Sequence, residues 1–282
     1  MPSNEQRRQA AKRKLERQLA RRAERAKRRR IWGVGLTVLV VIAVVGLVFW
    51  LSNLGPDDST ADTGDKPSDT AAAGKSTDGP CAYKENAAEK PEKDPGMPDD
   101  PAETPKKGTV KVDLKTSQGA IALTLDKAKA PCTVQSMEHL VNEKFFDGTK
   151  CHRLTASAGL KVLQCGDPKG DGTGGPGYSL PDELPKDLTD APAAQAGGQP
   201  LKLYERGMIA MANAGPNTGG SQFFLVYGDS TLPPSYTVFG EISEAGLKVI
   251  DKVVKGGITP GNGPDDGAPK LPVDIETATA AS

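Results

Sequence analysis

The sequence predicts a mostly-β protein: a closed antiparallel β-barrel with two helices covering its ends, preceded by a single transmembrane helix and a disordered linker. Three observations carry this reading. An uninterrupted apolar run of 21 residues, "IWGVGLTVLVVIAVVGLVFWL" (Ile31 to Leu51), separates a basic N-terminal end from the rest of the chain. Ser52 to Lys107 holds eight prolines and almost no large apolar residues. From Gly108 onward, short stretches of alternating apolar and polar residues outnumber the helical patterns, of which there are two.

The formal net charge of zero is a cancellation. Residues 1–30 carry 13 Lys+Arg and 3 Asp+Glu, a balance of +10; residues 31–51 carry no charge, so the remainder sums to −10. Such asymmetry points to segments that work in different surroundings. At about 1.5 Å per residue the apolar run spans a hydrocarbon core of about 30 Å. Trp32 and Trp50 stand near its ends, where indoles favour the interface. A cleaved signal peptide would have a shorter apolar core and a small-residue cleavage site. "SNLGPDD" offers no such site, so an uncleaved anchor is expected. Basic flanks stay in the cytoplasm. Residues 1–30 are therefore expected inside the cytoplasmic membrane and everything after residue 51 outside it. The basic tail reads as a lipid-contacting stem on an anionic leaflet. No aromatic or groove-reading motif supports nucleic-acid binding, and no coiled-coil heptads argue against a monomer.

Residues 52–107 bury too little apolar surface to fold alone and read as an extended tether. Cys81 and Tyr83 are its exceptions, candidates to be tied to the domain. Four cysteines on the outer side of a membrane are permitted to form two bridges, with three pairings open. The domain is expected over residues 108–277, with a short tail at 278–282.

Within the domain, "TVKVDLKT" and "AIALTLD" flank "SQG" and predict a hairpin. "APCTVQSMEHLVNEKFF" has Val134, Met137, Leu140 and Val141 at helical spacing, and Pro131 suits a helix start. "GMIAMANA", "SQFFLVYG" and "YTVFGEI" predict strands. "AGLKVIDKVVKG" predicts a second helix ending at glycine, and "KLPVDIETATA" a last strand.

Several chemistries are disfavoured by the residues present. His139 and His152 are the only histidines, and no G-x-S-x-G elbow accompanies them. Cys151 is adjacent to His152, and neighbours on a strand point to opposite faces. Two lone histidines lack the spacing of a zinc site. "DGTGGPG" (Asp171 to Gly177) lacks the Lys-Ser/Thr ending of a phosphate loop, and its glycines suit tight turns.

"FFDGTKCHRL", "VLQCGDPKGDGTGGPGY" and "GMIAMANAGPNTGGSQFFLVYG" occur in that order, followed by "YTVFGEI". Together they resemble the cyclophilin family of peptidyl-prolyl cis-trans isomerases, over about residues 108–277. The layout of anchor, tether and "CHRL…VLQCGD" is similar to membrane-anchored actinobacterial members. The resemblance implies an eight-stranded closed barrel and an isomerase that needs no metal, cofactor or nucleophile. It implies proline-containing polypeptides as substrates, here exported or cell-envelope proteins.

By the same resemblance, Arg153 matches the catalytic arginine, Gln164 the glutamine that orients it, and Phe224 the phenylalanine flooring the proline pocket. Ala212 and Asn213 match the strand that receives the peptide, and Gln222 a second amide of the groove. His152 matches a supporting neighbour of the arginine. This chain departs from the family in "TASAGLKVLQCG", which is longer by about three residues and lacks a phenylalanine, so Val162 or Leu160 must fill that wall. Leu232 and Tyr236 are expected to line the pocket, although Thr231 stands where a tryptophan is frequent. That loss implies weak cyclosporin A binding. Cys151 and Cys165 flank the Arg153–Gln164 hairpin, where facing positions on paired strands come within disulfide reach. This favours Cys151–Cys165 and leaves Cys81 for Cys132. Two other readings compete with the enzyme. One is a membrane-tethered proline-peptide binding module with negligible turnover, and the other a scaffold whose active part is the basic tail.

Overall fold

The protein is described here by a computed structural model covering residues 75–86, 90–196 and 199–281. Its first strand, β1 (Lys84–Glu85), lies in the stretch expected to be a disordered linker, and pairs with Tyr178–Ser179. Cys81 and Tyr83 are fully buried. Cys81 is bridged to Cys132, and the Tyr83 hydroxyl donates to the Cys132 carbonyl at 2.7 Å. The Asp100 carboxylate accepts from the Thr77 hydroxyl and from the N–H groups of Cys81 and Ala82. His139 Nε2 hydrogen-bonds the Pro95 carbonyl. The linker expected to reach residue 107 is thus already laid on the domain from Lys75. One covalent bridge and one buried aromatic supply the anchorage that its composition lacks. The tail at 1–30 and the apolar run at 31–51 lie outside the described residues. Among those residues, no helix is long and apolar enough to cross a membrane.

β2 (Thr109–Thr116) and β3 (Gly119–Asp126) form the expected hairpin, and every second residue of β2 is buried. Helix α1 (Pro131–Asn142) starts at the proline without a side-chain cap of its own. The Glu183 carboxylate serves instead, accepting from the N–H groups of Cys132 and Thr133, which helix geometry leaves unpaired. Then come β4 (Thr149–Lys150), β5 (Arg153–Thr155), β6 (Val162–Cys165), β7 (Tyr178–Ser179) and β8 (Asp190–Ala196). β9 (Gln199–Tyr204), β10 (Met208–Met211), β11 (Phe223–Val226), β12 (Ser230–Leu232) and β13 (Val238–Ile242) follow. Helix α2 (Glu244–Gly256) is capped by Ser243, whose hydroxyl accepts from the Gly246 N–H. The chain ends with β14 (Ile258–Gly263), β15 (Asp266–Pro269) and β16 (Asp274–Ala281).

The two helices stand where expected, but the sheet does not match a closed eight-stranded barrel. Eleven strands pair in the open order β14-β15-β5-β6-β11-β10-β13-β3-β2-β16-β4. Across the gap, β4 meets the chain beyond β6 only at the single bridge Lys150–Asp167. β4 is two residues long, and Gly166, with φ +87°, turns the chain away just after β6, so no ladder can grow there. β14, β15 and the separate β12-β9-β8 sheet were not anticipated. The expected tail at 278–282 is largely strand too, with Ala281 opposite Lys111.

β6, β10 and β11 are buried on both faces. Leu163, Cys165, Ile209, Met211, Phe223 and Leu225 join the main core. Their alternating neighbours Val162, Ala210, Phe224 and Val226 form a second apolar cluster on the outer face, as the period of two requires. Cys151 and Cys165 are bridged. The register sets Arg153 opposite Gln164, so the cysteines are offset by one position rather than facing. Cys151 precedes β5, where strand alternation no longer governs its direction.

Candidate functional site

The strand registers set one row of residues straight across the sheet. Arg153 is opposite Gln164, Gln164 opposite Phe224, Phe224 opposite Ala210, and Ala210 opposite Val238. Directly opposed residues share a face, with Cβ atoms about 4.5–5.5 Å apart. Five strands thus bring a guanidinium, an amide and an aromatic ring together without any loop deciding their order.

The polar end of the row is a chain of hydrogen bonds. Arg153 donates from Nε to Asp266 Oδ1 at 2.8 Å and from Nη2 to Asp266 Oδ2 at 2.7 Å. Its Nη1 donates to Gln164 Oε1 at 3.2 Å. Gln164 Nε2 donates to Gln222 Oε1 at 2.8 Å. Gln222 Nε2 donates to the carbonyls of Gly172 and Gly174, tying the glycine-rich loop to the row. The Asp266 hydrogen bond raises the Arg153 pKa above its ordinary value. The same bond, followed by the arginine's charge, lowers that of Asp266. Both side chains remain partly open, at 33% and 25% exposure, so the pair is hydrated and its net stabilisation is small.

The apolar end is aromatic. The Phe224 ring meets Tyr236 edge-on at 5.5 Å and Tyr204 at 6.5 Å, and the two tyrosines meet at 6.3 Å. Tyr204 is fully buried, and its hydroxyl donates to the carbonyls of Pro233 and Tyr236. Burial pushes its pKa up to about 12. Leu160, Ala212, Leu232 and Tyr236 pack against the cluster to which Val162 and Phe224 belong. A groove of about 370 Å³ adjoins the cluster and shares Leu188, Met208 and Val238 with it.

Two expected residues stand apart. His152 sits under the glycine loop, where a Cβ on Gly172 would lie 3.6 Å from its Nε2. Its buried Nδ1 has no partner, and burial lowers its pKa. Asn213 donates to the Ser235 carbonyl and accepts from the Gly215 N–H, which engages its side chain between its own loop and the one before β13. The Ala212 N–H is taken by the Gln222 carbonyl. Asp266 and Tyr204 belong to the site and were missed. The signals for them, a D-G pair in a Gly/Pro-rich stretch and a lone tyrosine, are weak without the registers that deliver them. Among the described residues, no three His, Cys, Asp or Glu side chains group in a way that could hold a metal ion.

Residues 111–280 match the family model of the cyclophilin type peptidyl-prolyl cis-trans isomerases. The chain belongs to this family, and the enzyme activity is peptidyl-prolyl cis-trans isomerisation of proline-containing peptides. The chain is 48% identical to a "probable peptidyl-prolyl cis-trans isomerase B" of Mycobacterium leprae, over 98% of this chain and 99% of that one. It is 51% identical to the protein of the same description in Mycobacterium tuberculosis, over 64% of this chain and 55% of the relative. A solved cyclophilin-type isomerase of Cryptosporidium parvum aligns with 62% of this chain and 99% of its own, at 24% identity and a TM-score of 0.48.

Proposed function

We propose that the domain isomerises X-Pro bonds in exported or cell-envelope proteins, with Arg153 as the hydrogen-bond donor that stabilises the twisted amide. Rotation about the peptide bond crosses a barrier of about 18–20 kcal/mol set by amide resonance. In the twisted state resonance is lost and the prolyl nitrogen regains its lone pair. No bond is made or broken. What is required is an apolar seat for the ring and a donor whose bond strengthens only as the amide twists. A guanidinium is always charged and planar, which makes it a fixed donor. The observation that carries this reading is the row itself, in which Arg153 and Gln164 lie beside Phe224 on one face.

In this reading Phe224, Val162, Leu232 and Tyr236 seat the proline ring. Gln164 holds the guanidinium and the substrate carbonyl. Ala212 and Asn213 receive the peptide backbone, Gln222 lines the groove, and His152 is the supporting neighbour of Arg153 along the chain. The chemistry calls for no cofactor, and the protein acts as a monomer.

The location is part of the proposal. Residues 31–51 span the cytoplasmic membrane, residues 1–30 stay inside, and a tether carries the domain outside. The apolar run, the +10 tail and two disulfides suited to an oxidising compartment support it. Two measurements test the whole. Wild-type protein must speed a proline-limited refolding reaction while Arg153→Ala does so far more slowly; equal rates reject the donor. Protease added to intact cells must cleave the domain; full protection rejects the outside location.

A further inference from the structure

We propose that Asp266 is a positioning residue for the isomerase step, acting through Arg153; this rests on the reading of Arg153 as the donor. Asp266 is opposite Thr155 in the β15–β5 ladder, which makes Arg153 its diagonal neighbour two positions along β5. Diagonal neighbours lie about 7–8 Å apart, within reach of a long side chain. The reach is completed by a two-point bond on one edge of the guanidinium. Gln164 takes one N–H of Nη1. A guanidinium has five N–H donors. Three are committed, so two are left for a substrate, one on Nη1 and one on Nη2, both fixed in direction by bonds on either side.

Sequence explains why the carboxylate sits there. Gly267 follows it, and a Cβ at that position would lie 2.0 Å from the Thr259 carbonyl oxygen. Only glycine lets β14 and β15 approach so closely, and this close hairpin presents Asp266 to β5. The carboxylate also cancels the arginine's charge, so the guanidinium acts as an oriented donor rather than as a free cation. Without Asp266, the side chain is held only by Gln164, and its flexible stem is free to swing. Misplacement of a catalytic group by about 1 Å costs up to about a hundredfold in rate.

The test uses the full-length chain in detergent micelles and an X-Pro peptide. Asp266→Asn is expected to lower kcat/KM about tenfold, mainly through kcat, with a near-normal unfolding midpoint. In an Arg153→Ala background the same change is expected to do nothing further, because its effect passes through the arginine. Asp266→Glu, which keeps the charge but shifts the guanidinium, is expected to fall between Asn and wild type, and it carries the test where the Asn variant does not fold. Wild-type or higher kcat/KM in both Asp266 variants overturns the proposal. So does a loss that adds in full to that of Arg153→Ala, which marks a structural role. An Arg153→Ala protein as active as wild type rejects the donor reading itself, a separate outcome.

Discussion

Gln164 accepts from Arg153 at 3.2 Å through Oε1 while facing it directly across β5 and β6. Its Nε2 donates to Gln222 at 2.8 Å. The amide therefore has one orientation, and the arginine is held by strand register rather than by a mobile loop.

Gln164→Ala removes that hold and leaves the side-chain Oε1 of Gln222 without its donor. We expect kcat/KM on an X-Pro peptide to fall about tenfold. The unfolding midpoint in urea should drop by an amount worth about 1–2 kcal/mol. Peptide kinetics and urea titration of the same preparation check both.

Tyr204 supports the pocket from below. Tyr204→Phe keeps the ring but removes the donor to the Pro233 and Tyr236 carbonyls, at a cost of about 1 kcal/mol. Tyr204→Ala opens a cavity under Phe224, at a cost of about 3–5 kcal/mol. Urea unfolding separates the two, and equal losses would show that the ring carries no packing load.

The bridges differ in what they guard. Cys151–Cys165 closes a 14-residue separation around the Arg153 hairpin, and Cys81–Cys132 spans 51 residues and holds the N-terminal segment. Each should contribute about 3–4 kcal/mol. Replacing Cys151 and Cys165 by Ser should lower kcat/KM, whereas replacing Cys81 and Cys132 should lower stability with little effect on rate. Kinetics on the two double variants check this.

His152 gives stability a pH dependence. Its folded pKa is below its unfolded value, so the unfolded chain binds more protons and stability rises with pH. Its contribution is present above about pH 6.5 and is lost as pH falls toward the lowered folded value. The urea midpoint should therefore fall between pH 7.5 and 5, and His152→Leu should remove that part of the fall. Titrations of both proteins at several pH values check it.

Much of this was legible in the sequence because it is periodic or local. The β2–β3 hairpin and both helices follow from spacing alone. The Arg153, Gln164 and Phe224 set followed from motifs that the structure then joined in one row. What escaped depends on partners far along the chain. Asp266 lies 113 residues from Arg153, and its strand is short and rich in glycine and proline. Tyr204 becomes a pocket support only through pairing with β12. Residues 75–107 looked like linker because composition cannot count a disulfide. Barrel closure failed where β4 has two residues and Gly166 bends the chain away, details smaller than any hydropathy pattern.

The most direct test is kcat/KM of full-length Arg153→Ala on an X-Pro peptide, measured beside its unfolding midpoint. A loss of about a hundredfold or more with the midpoint near wild type is the result expected of an oriented donor. A folded Arg153→Ala protein that isomerises the peptide as fast as wild type would contradict it.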